Sequence, residues 1–143
     1  MGTKTKILVV DDDEEFASNM TESLRNFEDV SADYCDMNES DVTEAIQRVS
    51  PDVVLLDVYD LPSGDLTAGL KLLRAERDHW TAQGVKLVIL VTVLGRQVTL
   101  TISEAIEAVL EEGIADGHVQ KPVSTIRIMK EVEALLTGYR REE

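Results

Sequence analysis

Val53, Val54, Leu55 and Leu56 run without a polar break and end on Asp57. Pro51 bounds the run on one side and Leu61, Pro62, Ser63 and Gly64 on the other. An unbroken apolar run between turn residues predicts a strand buried on both faces. Residues 6–10 and 85–91 repeat the pattern, the latter reaching Thr92. Residues 117–120 form a short fifth run before Lys121 and Pro122. Residues 30–35 make a weaker strand, because Ser31 and Asp33 interrupt it, and its predicted place is near the sheet edge.

Between these runs the apolar residues return every three or four positions, the period of an amphipathic helix. Phe16, Met20, Leu24 and Phe27 follow the first strand, with Asp13 as the predicted cap. Val42, Ala45, Ile46 and Val49 follow the second, with Asn38 as cap. Leu66, Leu70, Leu73 and Trp80 follow the third. Thr101 and Glu104 have the spacing of a capping box for a helix that buries Ile102, Ala105, Ile106, Val109 and Leu110. Ser124 opens a last helix carrying Ile128, Val132, Leu135 and Leu136, predicted to stop at Gly138. Five strands alternating with five helices predict an α/β, flavodoxin-like fold: a doubly wound, five-stranded parallel sheet ordered 2-1-3-4-5.

Composition narrows the function. The chain has 143 residues, enough for one domain with a real core. Its formal net charge of −14 disfavours direct contact with nucleic acid or an anionic membrane, both of which call for a basic patch. No apolar run approaches a membrane span, and the expected location is the cytoplasm. Cys35 is the single cysteine, so the chain forms no intrachain disulfide and no cysteine-based metal site.

The chemistry gathers where the strands end. Strand one delivers Asp11 and Asp12, strand three Asp57, strand four Thr92 and strand five Lys121. In the expected order strands one and three are neighbours, and ligands bind in the crevice beyond their carboxyl ends. Carboxylates brought together there repel, by roughly 4 kcal/mol per pair at ~4 Å and an effective dielectric of ~20. Oxygen-only ligation of that kind suits Mg²⁺. With a hydroxyl and an ammonium alongside, the set suits a carboxylate nucleophile that accepts a phosphoryl group.

Asp11-Asp12-Asp13 after a strand, residues 51–57 ending on Asp57, the strand-end Thr92 and Lys121-Pro122 together resemble the receiver domain of bacterial response regulators. Each motif alone is weak, whereas all four in order on the expected elements are specific. The resemblance covers residues 6–136, with residues 139–143 as a short charged tail or the start of a linker after a domain at 1–138. It implies that Asp57 is the phosphoacceptor. It implies that Asp12 binds Mg²⁺ directly, Asp11 mostly through water, and Tyr59 through its backbone carbonyl. Thr92 then hydrogen-bonds the phosphoryl group and moves on activation, Lys121 contacts one of the phosphoryl oxygens, and Thr92 with His118 forms the switch. The implied partners are a histidine kinase or histidine phosphotransfer protein and an unknown downstream target or output domain, with a phosphorylation-dependent homodimer as a further option.

Four departures from the family pattern concern the output rather than the chemistry. Val93 stands where a small residue is usual, and His118 where Tyr or Phe is usual. The loop after Asp57 carries extra residues, and residues 95–103 are long for their place. Two other readings compete with the switch. One is a pseudo-receiver that binds partners without phosphorylation. The other is a haloacid dehalogenase-like phosphatase, which is disfavoured because Tyr59 occupies the place of its second Asp and there is no substrate cap.

Overall fold

The computed structural model describes residues 4–58, 68–93, 100–121 and 123–142. Five parallel strands, β1 (Thr5–Val10), β2 (Val30–Cys35), β3 (Val53–Asp57), β4 (Leu87–Val93) and β5 (Gly117–Lys121), form one sheet ordered β2-β1-β3-β4-β5. The helices between and after them are α1 (Glu14–Arg25), α2 (Glu39–Val49), α3 (Ala68–Ala82), α4 (Leu100–Glu111) and α5 (Thr125–Glu142). The α/β fold and its strand order are those expected from the apolar runs.

The alternation of side chains along each strand explains why the central runs are wholly apolar. Ile7 and Val9 of β1 and Val53 and Leu55 of β3 face one layer, built from Ala17, Met20 and Leu24 of α1 and Ile128, Met129, Val132 and Leu136 of α5. Leu8, Val10, Val54 and Leu56 face the other, built from α2, α3 and α4. Both faces are covered, so an even and an odd position cost the same to leave polar, and neither is. β2 has only β1 as a neighbour, which accommodates its half-exposed Asp33 and Tyr34.

Local signals place the helix starts. The Asp13 side chain accepts from the Phe16 amide, that of Asn38 from the Asp41 amide, and that of Ser124 from the Arg127 amide. α2 ends on Ser50, whose left-handed backbone (φ 49°) turns the chain into Pro51.

Three expectations needed correction. β4 begins at Leu87 rather than Val85, because the Val85 amide is taken by the Trp80 carbonyl in the turn that closes α3. Thr101 is not a cap, since α4 already includes Leu100. α5 does not stop at Gly138 but continues to Glu142. Gly138 has only open space where a side chain would be, and a glycine within a helix costs about 1 kcal/mol, too little to end it. Leu66 lies outside the described residues.

Trp80 anchors the α3 layer. Its side chain is fully buried in the cluster with Leu73, Val85 and Val109, and its indole Nε1 has no hydrogen-bond partner. Truncation therefore removes packing alone. Trp80→Ala is expected to destabilise the fold by roughly 3–5 kcal/mol, and Trp80→Phe by clearly less because no hydrogen bond is lost. Urea unfolding of both variants measures the difference, and equal losses would contradict it.

Candidate functional site

The parallel register brings the strand ends to one rim. Asp57 pairs with Val91, so Thr92 stands one residue further along β4, and Val93 pairs with Lys121. Asp11 follows the last residue of β1, and its amide donates to the Cys35 carbonyl at the end of β2. Each of Asp11, Asp12 and Asp57 offers a carboxylate oxygen to one cluster whose members all lie within 4.8 Å of one another. Asp11 and Asp57 are buried, at 3% and 4% exposure, while Asp12 is half-exposed. The cluster thus has one open side, at Asp12.

Asp11 is held at both carboxylate oxygens. Its Oδ1 accepts the Asp13 amide at 2.9 Å, and its Oδ2 accepts the Lys121 ammonium at 2.8 Å. Both oxygens are engaged within the protein, which suits contact with a cation through water. The Lys121 Nζ also sits 3.9 Å from the centre of the Phe16 ring. Ring and carboxylate together hold a largely buried cation in one place.

Burial dominates the electrostatics. It raises the Asp11 carboxyl above its usual range, against the hydrogen bond from Lys121 and the Asp13 amide. Asp57 is pushed up to about 9, first by burial and then by the negative charge of Asp11, with Lys121 only partly opposing them. At Asp57 burial and the charge of Asp11 outweigh the Lys121 ammonium, and the site favours either a proton or a cation. The donor set is all oxygen, two buried carboxylates and one accessible to solvent, and that fits Mg²⁺.

Most of the expected residues meet here: Asp11, Asp12, Asp57 and Lys121 at the cluster, and Thr92 beside Asp57 on the next strand. Tyr59, expected to lend a carbonyl, lies outside the described residues, as do residues 60–67, residues 94–99 and Pro122. His118 does not join the cluster. Its Nε2 lies 2.7 Å from the Thr92 hydroxyl.

Two contributors escaped the sequence reading. Phe16 reads as one more core residue at helical spacing, and its place beside Lys121 follows only from how α1 meets β5. Gly69 reads as an ordinary helix residue, yet a Cβ there would collide with the Asp57 carbonyl oxygen. Its amide donates to the Val58 carbonyl at 3.0 Å, so the first turn of α3 presses on the strand end that carries Asp57. The available signal was a glycine in the first turn of a helix, where it weakens the helix unless close approach requires it.

A model of the "Response regulator receiver domain" family matches residues 7–133. No curated protein sequence matches the chain. Among solved structures, the chain is similar to a response regulator receiver domain protein (CheY-like) from Methanospirillum hungatei JF-1, with 23% identity, TM-score 0.71, and coverage of 99% of this chain and 100% of that one. It is similar to the signal receiver domain of a modulated diguanylate cyclase from Desulfovibrio desulfuricans G20, with 16% identity, TM-score 0.74, and coverage of 98% and 99%. It also matches NtrX from Brucella abortus at 22% identity and TM-score 0.72, covering 96% of this chain but 28% of that one. At these identities the solved structures bear on the fold alone.

A carboxyl with a raised pKa in the folded protein holds a proton that the unfolded chain has released. Its contribution to stability is present below the ordinary carboxylate value and is lost as pH rises towards about 9. Asp57→Asn removes the charge, so its melting temperature is expected to exceed that of the wild type near neutral pH. One kcal/mol corresponds to roughly 3–5 °C in a domain of this size. The gain should shrink as pH falls to the ordinary carboxylate value of 3.8 and below, where the wild-type carboxyl is protonated in both states. Calorimetry at the two pH values checks this, and a variant that melts lower at both refutes the repulsion.

Proposed function

The chain belongs to the response regulator receiver domain family, and on that premise we propose that it is a phosphoacceptor switch in which Asp57 takes a phosphoryl group from a phosphohistidine of a histidine kinase or phosphotransfer protein. An oxygen of the Asp57 carboxylate forms the new O–P bond as the P–N bond of the donor breaks. The observation that carries this reading is the cluster of Asp11, Asp12 and Asp57 with Lys121 bonded to Asp11. The Asp57 carboxylate would act as the nucleophile, and a cation at the three carboxylates together with the Lys121 ammonium would offset the charge that the phosphoryl group adds.

The residues divide the work by position. Asp11, Asp12 and Asp57 would hold Mg²⁺, together with the Tyr59 carbonyl, and the ion would neutralise charge that develops on the phosphoryl oxygens. Lys121 is already fixed at the rim by Asp11 and Phe16, and from there it meets a phosphoryl oxygen with little reorganisation. Thr92 offers a hydroxyl from the neighbouring strand. The proposed outcome is a changed surface on the last helices and altered affinity for a protein target, with a homodimer among the possible products. The reading includes a cytoplasmic location and no turnover of an external substrate. No helix among the described residues is long and apolar enough to cross a membrane.

A second reading, a partner-binding module that works without phosphorylation, draws support from the Thr92 hydroxyl being already bonded to His118. Intact mass separates the two. After incubation with acetyl phosphate and Mg²⁺, the wild type is expected to gain one phosphoryl group and Asp57→Asn none. Mg²⁺ alone is expected to raise the melting temperature of the wild type, and Asp12→Asn to blunt that rise. Absence of both the adduct and the Mg²⁺ effect would favour the binding module.

A further inference from the structure

The Thr92 hydroxyl already has a partner, and that partner is not at the carboxylate cluster. Leu90 pairs with His118 and Thr92 with Gln120, so both side chains lie on the same face of the sheet. His118 is one pleat further from the strand ends than Thr92. The hydroxyl is therefore bonded back along the sheet, 2.7 Å from the His118 Nε2, while Asp57 ends the neighbouring strand. Thr92 is 5% exposed, so water is a poor alternative partner. A buried hydroxyl without a partner is costly, which makes the imidazole bond worth keeping until something better replaces it.

Resting on the phosphoacceptor reading, we propose that His118 is a positioning residue that holds the Thr92 hydroxyl in the unphosphorylated protein, accepting its proton at Nε2, so that a phosphoryl group on Asp57 must take that hydroxyl from the imidazole. A hydroxyl has one proton to donate. Given to Nε2, it is unavailable to a phosphoryl oxygen. Burial lowers the His118 pKa and keeps the ring neutral, the form that can accept. The ring also lines an open cleft with Gln120, Val123, Ser124 and Arg127, so it has polar surroundings when its partner leaves. An aromatic ring without a nitrogen at this position would leave the hydroxyl free for the phosphoryl group. His118 thus sets a threshold: it favours the resting state by the strength of one hydrogen bond.

Beryllofluoride with Mg²⁺ serves as the phosphoryl probe, titrated into the wild type, His118→Phe, Thr92→Ala and the double variant. His118→Phe is expected to bind about 3- to 10-fold more tightly than the wild type, the range expected from a single hydrogen bond. In the Thr92→Ala background the same substitution is expected to change nothing. Unchanged or weaker binding by His118→Phe, or an equal gain without Thr92, overturns the proposal. A wild type that binds no beryllofluoride overturns the phosphoacceptor reading and this one with it. A wild type that binds while His118→Phe is silent overturns this one alone. Nitrogen-15 NMR of the wild-type ring gives a measurement that needs no variant. Nε2 is expected to be an unprotonated acceptor at rest and to shift when beryllofluoride and Mg²⁺ are added. A protonated Nε2 at rest, or no shift on saturation, refutes the proposal.

Discussion

Like charge held in a small buried space is the constraint around which this molecule is arranged. Asp11 and Asp57 lie at the ends of adjacent strands with almost no exposure, and Asp12 completes the group from the open side. The Lys121 ammonium is bound to Asp11. Folding brings these groups together because the apolar runs behind them must be buried. The hydrophobic strands β1 and β3 thus impose the electrostatic tension at their own ends. A cation or a proton relieves it, and a phosphoryl group on Asp57, which adds negative charge, would call for the cation and the Lys121 ammonium all the more.

The two ends of the sheet contrast. At the end where the strands begin, polar groups are satisfied. The Lys6 amide donates to the Asp52 carboxylate, the Val88 amide to Asp116, and Arg77 bridges the Ile114 carbonyl and Asp116. These bonds tie β1, β3, β4 and the loop before β5 into a fixed base. At the opposite end three carboxylates are crowded within 4.8 Å of one another. The Thr92–His118 bond lies between the rim and the cleft bounded by β5 and α5.

Much of this was legible along the chain. The run 53–56 between Pro51 and the turn residues announced a two-sided strand, and helical spacing after each run announced the covering layers. Asp13, Asn38 and Ser124 declared their helix starts because capping is a local affair of three or four residues. Local rules failed where distant groups competed. Val85 looks like strand, but the Trp80 carbonyl claims its amide. Gly138 looks like a stop, but nothing after it contradicts the helix.

The order of residues along the chain was enough to choose the five-stranded parallel sheet and to place Asp11, Asp12, Asp57, Thr92 and Lys121 at strand ends, because burial periodicity and strand direction are properties of neighbours in sequence. It could not say who touches whom across elements. That Phe16 lies against the Lys121 ammonium, that Gly69 presses on the Asp57 backbone and that His118 bonds the Thr92 hydroxyl depend on register and on how each helix packs on the sheet. Those are three-dimensional outcomes, since partners 12 to 105 positions apart in the chain become neighbours only once the core has closed.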